Sequence, residues 1–510
     1  MAIIVLMGLL ILIQSTNMSM MTTAQSDIAA DLDAFAEATW FTAAFMIAMS
    51  SITPLAGRLS QIFTPRLYVI FSSALLAIGL FITAAAPSLA VFLLGRVVAG
   101  SGSGGLMSTS IILALTLASQ KRRGLCLGLI SLGYTTGLAS GAVLAGLLTP
   151  ILGWRFIFWI QAPLSLLLGP LLFLAIPSLP KSNIDIDHRE TLYGSLSRSL
   201  ARVDYAGAAA LTISVVLLLF SLASPTVTAG PIVLSLLCFA GFLVIESRWT
   251  AEPVIPVGLL RTRSVLLTCL AGLGLMMARW AVLFYSPVYA MAVRGWSPAS
   301  AGLILVPTNA GFGLGGVLVG WLHIRKARSY YGFCLLFFLL FVLAVLTLSL
   351  LSTPQSPTAA YLLALFLNGL FAGAVINYTL SHLLYLTSPS MQYIVSALVA
   401  MSRGFAASFG SAVGGGLFTR ILKASLETGF ATHGVPSPEL VRQLLGSPAM
   451  VRGLPEPERL IAMQSYERAI RILFLAGSVL ALVAAVVQAG TGWTPVENPG
   501  NEGEDSGQVT

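Results

Sequence analysis

The sequence predicts an all-α membrane protein of about fourteen spans. Three observations carry that prediction. Only 9% of the 510 residues are charged and 57% are hydrophobic, whereas ordinary soluble proteins carry about 25% charged residues. The apolar residues fall in long runs, such as 69–86, 164–176 and 335–351, rather than in alternating or helical stripes. The 48 Gly and 25 Pro suit a bundle whose helices approach closely and whose neighbours satisfy freed backbone groups.

A span needs about 20 apolar residues. This places helices near 2–24, 39–56, 67–87, 91–118, 124–149, 155–177, 204–224, 230–248, 264–291, 299–323, 331–352, 359–385, 394–421 and 468–490. Met1 to Ile13 resembles a signal-peptide core, but no basic segment precedes it and no small-residue cleavage site follows, so it is read as part of a first span. Arg58 and Arg66, Lys121 to Arg123, Arg189 with Arg198 and Arg202, Arg261 with Arg263, and Arg325, Lys326 and Arg328 all fall on one face. Opposing loops hold few basic residues, chiefly Arg155 and Arg294, with the 422–467 loop as the exception. The positive-inside rule then puts both termini in the cytosol.

The organisation expected is a six-helix bundle over 1–177, a cytosolic connector over 178–203, two additional transmembrane helices over 204–248, and a second six-helix bundle over 264–490. A long non-cytosolic loop at 422–467 interrupts that bundle, and a disordered cytosolic tail fills 491–510. The loop, with Glu439, Arg442, Glu456, Glu458 and Arg459, reads as short amphipathic helices in a solvated connector; a lid over the exit path is the alternative.

The net charge of +8 forms no stripe or arm, which excludes nucleic acid as a partner. Cys126, Cys238, Cys269 and Cys334 lie in apolar segments without ligand spacing and read as buried thiols. His188, His323, His382 and His433 stand apart, with no metalloprotease pattern, no nucleophile triad and no phosphate-binding loop. No enzyme, cofactor or metal is expected. The partners are the lipid bilayer and a small-molecule substrate, and the chain is expected to act as a monomer.

Gly57-Arg58-Leu59-Ser60-Gln61-Ile62-Phe63-Thr64-Pro65-Arg66 reads as a tight basic turn in which glycine permits the bend and the arginines cap helix ends. Gly320-Trp321-Leu322-His323-Ile324-Arg325-Lys326-Ala327-Arg328 echoes it and suggests two related bundles.

The first of these turns resembles the signature loop of the major facilitator superfamily, and further motifs sharpen the match. Leu94-Gly95-Arg96-Val97-Val98-Ala99-Gly100 with Gly102, Gly104 and Gly105 is similar to that superfamily's fourth-helix motif. Gly128, Gly133, Gly137, Gly141 and Gly146 resemble the fifth-helix glycine ladder of its antiporters, although Ala142 stands where the family has proline. Gly153 to Pro163 looks like the sixth-helix start of the drug:proton antiporter branch with about fourteen spans, and Ile160-Gln161-Ala162-Pro163 with Tyr289 to Gly302 looks most like fungal vacuolar amino-acid permeases and their multidrug relatives. The resemblance implies a major facilitator fold of two six-helix bundles with two additional transmembrane helices between them. It also implies secondary transport of amino acids or drug-like compounds by alternating access, coupled to protons, in a vacuolar, other endomembrane or plasma membrane. An uncoupled facilitator or a transporter-like sensor is the alternative.

Arg96 stands out because a charge within a span is costly and marks function by default; its structural reading is a bond to backbone carbonyls. The resemblance gives Arg96 a role in proton coupling. Arg279, near the middle of the ninth helix, is a second such charge, and with Tyr285 it is a candidate substrate contact. Arg403 fits either a functional or an anchoring role, Arg155 a structural one, and Asn377 and Asn368 either bond substrate or bridge helices. The family's acidic positions align with Asn17 and Gln61, neither of which titrates, so Asp27 is the remaining carboxylate candidate for coupling. An interior with Arg96 and Arg279 and few acids favours anionic, zwitterionic or neutral solutes over cations.

Overall fold

The computed structural model describes residues 2–117, 123–176, 204–224, 226–248, 261–323, 329–388, 391–433 and 438–492. The connector at 178–203 and nearly all of the tail lie outside them. Among the described residues every regular element is helical, and fourteen segments are long and apolar enough to cross a membrane.

The first half comprises α1 (Ala2–Asp31), α2 (Thr39–Ile62), α3 (Pro65–Ala84), α4 (Leu89–Leu117), α5 (Arg123–Leu152) and α6 (Trp154–Ala175). The additional pair is α7 (Tyr205–Ala223) and α8 (Ala229–Arg248). The second half comprises α9 (Arg263–Ala292), α10 (Pro298–Leu303) running into α11 (Leu305–Val317), α12 (Tyr331–Leu351), α13 (Thr358–Tyr385), α14 (Gln392–Thr432), α15 (Pro438–Gly446) and α16 (Glu458–Ala489).

The two halves repeat one packing scheme. In the first, α1 lies on α5 and α6, α4 on α2 and α3, and α3 on α6; in the second, α9 lies on α14 and α16, α13 on α11 and α12, and α12 on α16. Glycines set the closest approaches. A Cβ on Gly100 or Gly104 would fall within 2.5 Å of a carbonyl oxygen of α2, and Gly311 and Gly315 abut Phe366 and Leu370 of α13 at 2.1 Å in the same way. Real Cβ atoms do not come so near, so small residues let the backbones touch.

The seam between the halves is formed by α5 against α10 and α11, α2 against α14, and α1 against α9. The extra helix α7 leans across α2 and α14, joined to them by the apolar contacts of Leu211, Val215 and Leu219 with Ala43, Ile47 and Ala412. Large apolar residues such as Leu236, Leu237, Leu350 and Val486 face outward, as expected where lipid replaces water as the solvent.

Two expectations need correction. The basic segment 57–66 is not mainly a turn: α2 continues to Ile62, and Gly57 sits inside it. The bend is made at Thr64, whose φ is +69°, directly before Pro65 at the start of α3. Proline disfavours helical geometry at the residue before it, and this stops α2. Likewise, 422–467 is not simply a solvated connector. At 41 residues, α14 is about 60 Å long at 1.5 Å per residue, twice the hydrocarbon thickness. It rises out of the bundle, and α15 folds back against the α1–α2 turn, where Gly446 packs directly on the Phe35 backbone. Lys423 and Glu427 lowered the hydropathy of these extra turns. Among the cysteines, Cys269 and Cys334 are buried, whereas Cys238 is partly exposed.

Candidate functional site

The functional interior starts with α1, which buries a polar stripe of Gln14, Ser15, Thr16, Asn17, Ser19, Thr22 and Thr23. Every fourth residue of a helix returns to the same face, so this stripe meets the glycine ladder of α5. A Cβ on Gly137 would lie 2.0 Å from the Ser15 hydroxyl oxygen, and one on Gly141 would lie 2.4 Å from the Thr16 carbonyl. Thr16 donates to the Gly137 carbonyl at 3.3 Å and Thr23 to that of Ala142 at 2.9 Å. Gly133 is looser, 3.2 Å from the Gly8 carbonyl, and Gly146 instead abuts Ala299 across the seam. The ladder therefore serves two contacts, one within the first half and one between halves.

Arg96 is fully buried on α4. Its Nε donates to the Phe41 carbonyl at 2.9 Å, Nη1 donates to the Asn17 side-chain oxygen, and the guanidinium lies 4.4 Å over the Phe45 ring. Nη2 has no partner among the described residues. The Asn17 amide donates onward to Gln161 at 3.3 Å, and the Gln161 amide reaches the Met20 sulfur at 3.1 Å. Asn17 supplies a neutral acceptor where a carboxylate would have compensated the charge, so the cationic character of this cluster persists.

On the other side of the seam, Arg279 is buried on α9. It donates to Thr308 and to the Asn309 side-chain oxygen, both at 3.3 Å, and lies 4.3 Å over the Phe312 ring. The neighbouring Trp280 stacks on Phe284 at 5.3 Å and meets Tyr134 of the first half edge-on at 6.5 Å. Among the described residues the buried charged side chains are Arg96, Arg279 and Glu246, and Glu246 belongs to α8, outside the two bundles.

Between the halves, beneath α15, is a cavity of about 40 Å3 lined by Thr22, Gln25, Thr39, Tyr285, Thr419 and Tyr466 among others. A water needs roughly 10–15 Å3 measured this way, so the cavity holds a few waters and is too small for an organic solute. Tyr285, a sequence candidate, meets the Phe418 ring in a tilted contact at 4.5 Å at this cavity. The halves are closed at this end: Thr39 bonds Thr419 at 3.2 Å, and Gln25 reaches the Gly446 carbonyl at 3.4 Å. Arg442 of α15 ties to Asp33 at 2.6 Å and to Glu439 at 3.0 Å. Hydrogen bonds from Arg442 hold the Glu439 carboxyl below its usual value.

Other candidates fall elsewhere. Asp27 is exposed at the last turns of α1, away from Arg96. Arg155 pairs with Asp31 and donates to the Ala86 carbonyl at 3.0 Å, tying α6 to the ends of α1 and α3. Arg403 donates to the Ile376 carbonyl and to Thr379 at 3.1 and 3.2 Å, anchoring α14 to α13. Asn377 bonds the Gly373 carbonyl of its own helix at 3.0 Å, whereas buried Asn368 has no partner among the described residues. Arg66 donates to the Phe173 carbonyl in the last turn of α6 at 2.9 Å. The side chains of Arg58 and Gln61 lie outside the described residues. Sequence reasoning missed the roles of Gln161, Thr308 and Asn309, which were visible only as isolated polar residues in apolar runs.

Two like bundles around a polar seam, with extra helices on the outside, define the architecture of a membrane transporter. A family model described as Major Facilitator Superfamily matches residues 7–411, and the chain belongs to that superfamily. It is 28% identical over 502 residues to the MFS-type transporter clz4 of Cochliobolus lunatus, covering 95% of this chain and 84% of that protein. To the multidrug resistance protein fnx1 of Schizosaccharomyces pombe it is 24% identical, covering 94% and 88%. The crystal structure of a bacterial homolog to the human lysosomal transporter Spinster, inward-facing and unoccupied, superposes with a TM-score of 0.63 at 15% identity, covering 97% of this chain and 98% of that one. The human organic anion transporter MFSD10 does so with 0.58 at 15% identity, covering 96% and 99%. These structures show the shared fold.

Proposed function

We propose that this transporter exports small organic solutes, drug-like or amino-acid-like, by alternating access, and that it prefers neutral, zwitterionic or anionic solutes to cations. The observation that carries this reading is the charge of the interior: Arg96 and Arg279 are buried, one in each half, and among the described residues no carboxylate is buried in either bundle. In a low-dielectric interior such charges attract anions and repel cations. The names of relatives such as fnx1 and the efflux pump apf11 of Gibberella fujikuroi support export. Loop charges support cytosolic termini, with α15 on the opposite side.

A second reading, uncoupled facilitation, is favoured by Asn17. It accepts from Arg96 at a place where a proton carrier would need to titrate. The test is uptake into vesicles containing the purified protein, with and without an imposed pH gradient, for an anionic dye, a zwitterionic amino acid and a lipophilic cation. Anion uptake above cation uptake is expected. A cation preference overturns the solute reading, and flux that follows the pH gradient overturns the uncoupled one.

A further inference from the structure

Away from the seam, α12 and α16 enclose an outward-facing groove of about 460 Å3, within the range that holds a small ligand. Its floor is fixed by the Ser349 hydroxyl, which donates to the Arg471 carbonyl at 2.7 Å. Charge is confined to one end. Arg468, Arg471 and Glu467 line it there, with Leu350 at their level, and Leu346 and Leu475 line the remainder. Arg471 pairs with Glu467 at 3.5 Å, whereas Arg468 has no acidic partner among the described residues.

The apolar side continues beyond the groove. From Ile472 to Ala489, α16 carries no charged residue, and Leu475, Val479, Leu482 and Val486 are exposed along it. Eleven residues separate the first of these from the last, about 16 Å of helix, close to the depth of one leaflet's hydrocarbon, roughly 15 Å. The two arginines thus stand where lipid headgroups meet acyl chains. A planar guanidinium fork matches phosphate geometry, and Glu467 can neutralise only one of the two.

We propose that this groove binds an anionic glycerophospholipid, its phosphate held by Arg468 and Arg471 and one acyl chain laid along Leu346, Leu475 and Val479. The site is separate from the transport seam and does not depend on which solute is carried.

The purified full-length chain in detergent, titrated with phosphatidylglycerol and with phosphatidylcholine of the same chain length, is read by native mass spectrometry. Retention of phosphatidylglycerol over phosphatidylcholine is expected. Arg468→Gln and Arg471→Gln should each reduce that preference roughly fivefold. The double lysine variant should keep most of it, and Arg459→Gln, outside the groove, should leave it unchanged. Equal retention of the two lipids, or a preference intact in the double glutamine variant, overturns the proposal. Excess inorganic phosphate should not displace the lipid; complete displacement assigns the groove to free phosphate and overturns the acyl contact.

Discussion

Asn17 of α1 turns its side-chain oxygen toward Arg96 of α4 and its amide toward Gln161 of α6, so one neutral residue joins three helices around a buried charge. Because the amide does not titrate, Asn17 itself neither takes up nor releases a proton at this junction. Asn17→Asp places a titratable carboxylate beside the guanidinium. The variant's vesicle uptake is expected to become dependent on an imposed pH gradient, while the parent's remains independent. An equal gradient response in both proteins shows that Asn17 does not set the coupling.

Removing the charge itself separates function from anchoring. Arg96→Ala leaves the Phe41 carbonyl and Asn17 without their donor, a loss of about 1.5–3 kcal/mol for each hydrogen bond to a charged group, offset by relief of the buried charge. Transport is expected to fall to background while membrane insertion and monodispersity stay normal. Transport near the parental rate assigns Arg96 to packing.

Span positions were legible in the sequence because hydropathy reports on residence in the apolar layer, whether a helix faces lipid or protein, and most helices lie within a few residues of their expected bounds. Arg96 and Asn17 were each singled out, but their contact was not, since it joins α1 to α4 across 79 residues of chain and depends on rotamers that no spacing encodes. The polar stripe of α1 was present as Ser15, Ser19 and Thr23 recurring every fourth position, yet other polar residues and three methionines between them masked the period. The extent of the 422–467 segment was misjudged for a different reason. Its α14 extension carries charges that stop a hydropathy window without stopping a helix.

The glycine ladder predicts a graded response. At Gly137 an added methyl would meet the Ser15 oxygen at 2.0 Å and the Leu12 carbonyl at 2.6 Å, whereas at Gly133 the nearest atom is 3.2 Å away. Gly137→Ala should destabilise the protein by about 1–3 kcal/mol, the usual cost of overpacking, and Gly133→Ala by clearly less. Thermal unfolding in detergent measures both. Equal midpoints for the two variants would refute close α1–α5 packing at Gly137.

The docking of α15 should respond to acid. Arg442 bonds Glu439 and Asp33, and the Glu439 carboxyl is held below its ordinary 4.5. A lowered folded-state value means that the contribution is complete above 4.5 and is lost as pH falls through the lower folded value. Amide exchange over 438–446, corrected for intrinsic rates, should therefore rise at about pH 3 relative to pH 7, and Arg442→Gln should show the faster exchange already at neutral pH. High salt should act in the same direction, because the pair is exposed and screened.

Arg420 of α14 gives the last prediction, since it connects the additional helix pair to the transport core. Its Nη1 donates to the Leu222 and Ser224 carbonyls at 3.1 and 3.0 Å, capping the C-terminal end of α7, where the helix dipole is negative. One turn away, a Cβ on Gly416 would fall 2.0 Å from the same Leu222 carbonyl, so backbone approach and cap act at one point. The apolar contacts of α7 with Ile47 and Ala412 remain when the arginine is removed. Arg420→Ala is therefore expected to cost about 1–2 kcal/mol, the range of one charged cap, and to loosen α7 without unfolding the bundles. Arg420→Lys should recover part of this, because a point charge keeps the dipole interaction but cannot fork between two carbonyls as well. Disulfide trapping between cysteines placed at Leu219 and Ala412 would slow in the alanine variant and largely recover in the lysine variant. If trapping is unchanged in both, α7 is held by its apolar face alone and the cap is incidental.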